Sequence, residues 1–372
     1  MKASISTEAF LGELSTAARV ASSRSAVQAL SGVDLIAGTN GLEIRATDME
    51  MSLQLRIAAQ VEEPGEVLLP ARLLLDIVRT LPGGPLSLEL RGERQDVRIS
   101  SGNAVFDLRT LRREDFPRLP EPAPGGVTLA ADAFVDTIAR VARSASRDDT
   151  RPVLTGILVH AAGSELRMVA TDSYRLSVKT TALATPVAES FDANVPARAL
   201  QELARIVAQT DAEEVRVSRL ENQIVFTLSA DAGATVLSSR LIDGQFPTYQ
   251  QLLPESVEHE LRVDREELAG VVRRVSLLAQ KNAPLRLAFN EGELCVSAQT
   301  PDIGEAQETL PVPFHGEAFE IGFNPEFLRD GLESVESPEV LLRLTSPLRP
   351  GLIESADGGG FVYLVMPIRL GT

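Results

Sequence analysis

The 372-residue sequence contains one cysteine, Cys295, so no disulfide can form within the chain and no cysteine-rich metal site can be built. No apolar run approaches the roughly 20 residues that a membrane-spanning helix needs. The opening residues, MKASISTEAF, lack the apolar core of a signal peptide, which points to the cytoplasm and not to export. Also missing are a phosphate-binding loop, a dinucleotide fingerprint, a zinc spacing and a nucleophile elbow. The three histidines, His160, His259 and His315, are scattered and near no plausible cysteine or serine partner. No cofactor and no metal is expected from such a sequence, and it reads as a non-enzyme. Positive charge is short as well. Against 52 Asp and Glu there are 36 Lys and Arg, a formal charge of −16, which taken alone argues against a generic nucleic-acid binder.

What the chain does have is an ordinary globular composition, 44% hydrophobic and 24% charged, and enough length for two or three domains at roughly 150 residues each. It also repeats itself. ATDMEMSLQL (Ala46 to Leu55) returns as ATDSYRLSVK (Ala170 to Lys179), 124 residues later. LPARLLLDIVRTL (Leu69 to Leu81) returns as VPARALQELARIV (Val195 to Val207) at an offset of 126. LRTLRREDFPRLP returns as SSRLIDGQFPTYQQLLP, with Phe116-Pro117 and Phe246-Pro247 separated by 130. Matches in one order at similar offsets identify a duplication. FNPEFLRDGLESV (Phe323 to Val335) and LAFNEGELCVSAQTPD mark a third, more diverged copy. The expected domains are 1–122, 127–254 and 257–372, joined by the proline-bearing stretches Pro117 to Gly126 and Gln250 to Glu260. A period this long means tandem domains, because solenoid repeats run ~20–50 residues.

Each copy opens on an amphipathic helix pattern: Phe10, Leu11, Leu14 and Ala18; Phe134, Val135, Ile138 and Ala142; Leu268, Val271, Val272 and Val275. Asp264 and Glu267 form a capping box for the third of these. Pro70, Pro196 and Pro325 suit the first turn of a second helix in each copy, where a missing N–H costs nothing. Alternating runs such as LSLELRGERQDVRISS and EVRVSRLENQIVFTLS read as antiparallel hairpins. DGGGF (Asp357 to Phe361) reads as the hairpin turn before the last strand. The fold class is therefore α+β, two helices over antiparallel sheet in each of three tandem repeats. Asp48 and Asp172 occupy equivalent turns, as structural turn caps do. A catalytic acid and base would need unlike environments, which a repeat does not provide.

The second helices carry arginines in register. Arg72 and Arg79 lie seven residues apart, and Arg198 and Arg205 repeat them 126 residues on. Seven residues are two helical turns, so each pair shares one face, opposite Leu74, Ile77, Val78 and Leu81. Two readings stand. One is a solvated face stabilised by ion pairs with Asp76 and Glu202. The other is a basic lining, to which Arg19, Arg140, Arg143, Arg273 and Arg274 on the first helices would add. In the second case the local field, not the net charge, decides the partner.

ATDSYRLSVK, the two PAR helices, RLIDGQFPTYQQLLP and the ending YLVMPIRL together resemble the bacterial DNA sliding clamp, the beta subunit of DNA polymerase III, along essentially the whole chain. The resemblance implies a three-domain subunit in a head-to-tail homodimer, a six-domain ring with helices lining the pore and sheets outside. It implies no catalysis. The ring encircles double-stranded DNA without reading sequence, slides, and tethers the replicative polymerase alpha subunit. The clamp loader, other polymerases and repair proteins attach through clamp-binding peptides. Arg24 matches a DNA-contacting arginine of the family and joins Arg72, Arg79, Arg198 and Arg205 as phosphate-facing groups. Phe106 and Leu108, with Leu277 and Leu278, match the dimer interface.

The family's peptide pocket maps by motif onto Arg151, Leu154, Thr171, Ser173, Tyr174, Arg175, Leu176, Pro247, Leu252, Asn324, Phe327 and Leu348. The terminal strand adds Leu364, Val365, Met366, Pro367, Ile368, Arg369 and Leu370. Leu, Pro and a pliable Met would take a Leu-Phe anchor, while Arg, Thr and Asn orient backbone or a glutamine. The first copy, ATDMEMSL, lacks Tyr-Arg-Leu and keeps only the turn. Three departures from the family stand out: Phe327 where tyrosine is common, Tyr174 where some members have histidine, and Gly371-Thr372 beyond the usual terminal leucine. The competing reading is a triplicated protein-interaction scaffold that never encloses DNA; the paired arginines favour the clamp.

Overall fold

The structure, a computed structural model, describes all residues except 23–24, 122–124, 231–232, 255, 280–282 and 371–372. Arg24 and the Gly371-Thr372 extension therefore lie outside the described residues. Six α-helices lie among the described residues, two per repeat: α1 Thr7–Val20, α2 Ala71–Thr80, α3 Ala131–Val141, α4 Ala197–Val207, α5 Arg265–Val275 and α6 Pro325–Glu333. In α1 the buried stripe is Phe10, Leu14, Ala17 and Val20, so Ala17 replaces the expected Ala18. Asp264 caps α5, accepting from the Glu267 N–H at 2.8 Å, and Asn324 caps α6 with Pro325 as its first residue. Pro70 and Pro196 stand one residue earlier than expected, as the last residues of the strands Gly65–Pro70 and Phe191–Pro196. Both strands are sheet edges, where the absent N–H breaks no ladder.

The chain divides into two compact units, Met1–Asp132 with Glu202–Leu241, and Ala133–Gln201 with Ile242–Thr372. The division cuts the middle repeat because each half of it pairs strands with a neighbouring repeat. In the first unit an eight-stranded sheet joins four strands of each repeat where Met51–Ile57 pairs antiparallel with Gly233–Arg240. In the second unit an eight-stranded sheet does the same where Arg175–Ala182 pairs with Phe361–Val365. The register is the same in both: Met51 opposes Ser239 as Arg175 opposes Val365. A five-stranded sheet ending on Ala104–Arg109 completes the first unit, and a four-stranded sheet ending on Gly304–Pro311 completes the second.

The three repeats share one backbone signature. Met49, Ser173 and Asp302 all adopt positive φ, at 75°, 80° and 64°, at the turn that precedes the corresponding strand. A left-handed residue is costly outside glycine, and the flanking hydrogen bonds hold it. Asp48 Oδ1 accepts from the Glu50 and Met51 N–H groups at 3.1 and 2.8 Å. Asp172 Oδ1 does the same for Tyr174 and Arg175 at 2.9 and 3.0 Å. Both aspartates are turn caps. The third copy has Pro301 in that place, and its Thr300 hydroxyl donates to Leu278 O at 2.6 Å.

Candidate functional site

The second-copy turn and the C-terminal segment, distant in sequence, come together in the second unit. Leu176 opposes Leu364, the Met366 N–H donates to Tyr174 O at 2.8 Å, and the Ile368 N–H donates to Gly322 O at 2.8 Å. Between these strands lies an apolar cluster of buried Val169, Leu176, Val178, Tyr249, Leu352 and Leu364, with half-buried Phe246, Leu253 and Met366 packed on it. The segments that feed this cluster also present exposed apolar side chains: Leu252 beside Leu253, Leu348 before Leu352, and Tyr174, which is 62% exposed. Apolar surface beside a preformed apolar floor is what docks an apolar anchor. Tyr249, Phe246 and Leu253 escaped the motif mapping, and the alternation of apolar residues through FPTYQQLLP is the signal that could have found them.

Several mapped residues brace the turn and α6. Arg175 is buried; its Nε donates to Asp172 Oδ2 at 3.0 Å and its Nη1 to Asp330 Oδ2 at 2.5 Å. Its guanidinium lies 4.4 Å from the centroid of the Phe327 ring, and Tyr174 stacks on the same ring at 6.5 Å. Burial alone would lower the Arg175 pKa, but the Tyr363 oxygen and the Asp330 and Asp172 carboxylates outweigh it and raise the value. The Tyr363 hydroxyl, itself pushed up by burial, donates to Phe327 O at 2.8 Å, so Phe327 is fixed without a hydroxyl of its own. Thr171 Oγ1 donates to Arg175 O at 2.7 Å and accepts from Ser173 N. Asn324 Oδ1 accepts from the Glu326 and Phe327 N–H groups. The bonds named here hold the turn and α6, so Arg175, Thr171 and Asn324 brace the elements that carry Tyr174 and Phe327. Leu154, Leu176, Leu364 and Val365 are buried, whereas Arg151, Ser173, Pro247 and Arg369 are exposed and Pro367, Ile368 and Leu370 half-buried. Arg151 bridges Asp148 Oδ2 at 3.3 Å and Ser173 Oγ at 3.1 Å.

Arg72, Arg79, Arg198 and Arg205 are all exposed, with Leu74, Val78 and Leu81 buried behind the first pair. The ion pairs anticipated from spacing also form, Arg79–Asp76 at 3.8 Å and Arg205–Glu202 at 2.9 Å, and buried Glu202 takes Arg19 at 2.7 Å as well. Two arginines thus share the Glu202 carboxylate. Arg140 does not belong to any lining. It is buried, pairs with Asp136 and Glu336 at 2.7 Å each, and donates to Ser334 O. Its position at the stripe's edge let packing claim it.

Of the four mapped interface residues, Leu277 is 82% exposed, Phe106 is exposed and Leu278 half-buried, while Leu108 is buried within its own unit. Val105 and Ile303, which sequence did not single out, are exposed beside them. On the edge strand Ala104–Arg109, hydrogen bonds from Arg98 and Arg91 hold the Asp107 carboxyl down to about 2. On the edge strand Gly304–Pro311, Arg274 holds Glu308 below its ordinary value. His160 pairs with Asp192, His315 with Glu291, and His259 stacks on Phe319 and meets Phe314 at a tilt. Among the described residues no helix is long and apolar enough to cross a membrane, and no acidic, His or Cys group could hold a metal ion.

Comparison with known proteins agrees with this organisation. Residues 1–120, 128–248 and 250–369 match the N-terminal, central and C-terminal domain models of the DNA polymerase III beta subunit. The beta sliding clamp of Streptomyces coelicolor is 31% identical over the full length of both chains, and that of Synechococcus elongatus 33% identical over 96% of each. The crystal structure of the Bacillus subtilis DNA polymerase sliding clamp superposes over 100% of both chains with a TM-score of 0.93 at 28% identity. The Pseudomonas aeruginosa clamp solved with griselimycin bound does so at 0.91 and 31% identity. With three tandem domains in the family's order, the chain belongs to the bacterial beta sliding clamps, the DNA polymerase III beta subunits.

Proposed function

We propose that two copies of the chain close head to tail into a ring around duplex DNA, acting in the cytoplasm as a non-catalytic processivity factor. In this reading Arg72, Arg79, Arg198 and Arg205, with Arg24, face backbone phosphates. Phosphate contacts of this kind hold a duplex without fixing its sequence, so they permit sliding. The apolar groove around Leu176, Met366, Leu252 and Leu348 takes the clamp-binding peptides of the polymerase alpha subunit, the clamp loader and other replication and repair proteins.

One observation supports the closed ring above the others. Two strand pairs join successive repeats with one register, and the two equivalent edges left over, Gly304–Pro311 and Ala104–Arg109, have no partner across that seam among the described residues. Leu111, Ile242 and Ile368 donate to the carbonyls of Leu68, Asn194 and Gly322, so counting back three residues aligns Leu108 with Ser239 and Val365. Gly304 follows the left-handed Asp302 as Met51 and Arg175 follow Met49 and Ser173. The third seam would therefore set Gly304 opposite Leu108 of a second copy. Exposed Val105, Phe106, Leu277 and Ile303 lie where this pairing would cover them, and an open sheet edge would be removed at each end.

The test is retention after loading. A closed ring stays on circular duplex DNA and escapes from the ends of the same DNA once it is linearised. Equal release from both forms would refute encirclement.

A further inference from the structure

Helix α6 contributes to two features at once. Its Phe327 carries the Tyr174 stack of the groove, while its Arg329, Asp330 and Glu326 help to line a cavity of about 590 Å³ that Arg143, Arg147, Arg198 and Asp149 also line, four arginines against three carboxylates. Asp330 is shared between them. Its Oδ2 takes Arg175 Nη1 at 2.5 Å, and its Oδ1 lies 3.7 Å from Arg143 Nη1, which makes a shorter pair with Glu333 at 2.7 Å. Arg175 in turn lies against the Phe327 ring.

We propose that the arginine-lined cavity receives a phosphate oxyanion and that Asp330 couples its occupancy to the peptide groove. The inference rests on the groove being the peptide site. Guanidinium binds phosphate in bidentate fashion more strongly than it holds one carboxylate oxygen at long range. A phosphate in the cavity draws Arg143 from Asp330, which it holds only at 3.7 Å. Asp330 is then left to Arg175 alone, and Arg175 is held more firmly against Phe327, the ring on which Tyr174 rests. Phosphate in the cavity and peptide in the groove thus favour the same arrangement. Coupling is reciprocal, so a bound peptide must tighten phosphate binding by the same factor.

The experiment is fluorescence anisotropy on the full-length protein with a short labelled peptide containing Gln and Leu-Phe. It is run with no addition, with a saturating short linear DNA duplex, and with inorganic phosphate, at matched ionic strength. Peptide Kd is expected to fall about fivefold, the lower end of common allosteric coupling. A fall in both arms means phosphate alone suffices, and a fall with the duplex only means that the oxyanion must come from nucleic acid. In Arg143→Gln and Asp330→Asn the ratio is expected to return to one; Arg143 is an exposed residue whose loss leaves the fold standing. Wild-type protein that binds peptide and duplex yet shows no change in Kd overturns the coupling alone. A ratio that survives both substitutions overturns the route through Asp330. Absence of any peptide binding overturns the groove reading and this inference with it.

Discussion

The turn at Thr47–Glu50 and the turn at Thr171–Tyr174 can be superposed bond for bond in their backbones, yet they face different surroundings. In the first, the Arg240 N–H donates to Glu50 O at 2.8 Å, and in the second the Met366 N–H donates to Tyr174 O at 2.8 Å. Behind the second turn Leu158, Val169 and Val178 build the apolar cluster. At the same places behind the first stand Asp34, Arg45 and Gln54, lining a groove of about 840 Å³. Arg113 bonds Asp34 at 2.7 Å, Arg45 bonds Glu43 at 2.5 Å, and Gln54 Nε2 donates to Pro120 O at 2.9 Å. Burial pushes the Asp34 carboxyl up against the pull of Arg113. An apolar anchor entering that groove would have to desolvate paired charges, which costs more than its own burial returns. Entering the second groove, it meets an apolar floor of Leu158, Val169 and Val178 in place of those paired charges. In the proposed reading one backbone serves as scaffold in the first repeat and as a binding surface in the second, and the side chains make the difference.

Exchanging residues between the copies tests this division. The largest effect is expected from Arg175→Met, which installs the first copy's Met51. It removes the Arg175 pairs with Asp172 and Asp330 and leaves Asp330 only the distant Arg143, and breaking a buried pair in this way costs about 3–5 kcal/mol. Chemical denaturation should read that loss in the second unit, and adding Asp330→Leu should restore part of it. Next is Tyr174→Glu, which installs the residue of Glu50. Tyr174 is 62% exposed, and an aromatic contact made to the peptide by that ring is worth roughly 0.5–1.5 kcal/mol, so peptide binding should weaken by up to about tenfold; the lost stack on Phe327 should lower the denaturation midpoint slightly as well. The reverse change, Glu50→Tyr, should create no binding, because the charged groove behind it remains. The smallest effect is one of pH. Asp107 has a depressed carboxyl pKa of about 2, so its stabilising bonds to Arg98 and Arg91 are fully present above pH ~4, its unfolded range. They are lost as pH falls toward 2. An NMR titration of the Asp107 carboxyl should give that midpoint, and a midpoint near 4 would dismiss the bonds.

Much of the fold was legible because its cues are local. Helical period located the first helix of each repeat and the proline-opened segments the second, while repetition of ATD, PAR and Phe-Pro revealed the duplication. The positions that escaped depend on non-local facts. Pro70 and Pro196 look like helix residues until strand pairing with Gly32 and Gly156 places them at sheet ends. Arg140 looks solvent-facing until Ser334 and Glu336, nearly two hundred residues away, surround it. The pairing of Arg175 with Asp330, 155 residues away, has no local cue in the sequence. The positive φ shared by Met49, Ser173 and Asp302 has no common residue type, so composition could not announce it.

The division of labour is tested most directly by one matched pair of substitutions, Met366→Ala and Arg240→Ala, at the same place in the two seams. Both are measured by anisotropy with the Gln- and Leu-Phe-containing peptide, with sedimentation to confirm that each variant remains assembled. Met366→Ala removes a central apolar anchor, for which interface hot spots cost about 2 kcal/mol or more, roughly thirtyfold in affinity. Arg240→Ala should leave peptide affinity unchanged. Equal losses from the two substitutions, or none from Met366→Ala, would contradict the assignment of binding to the second copy.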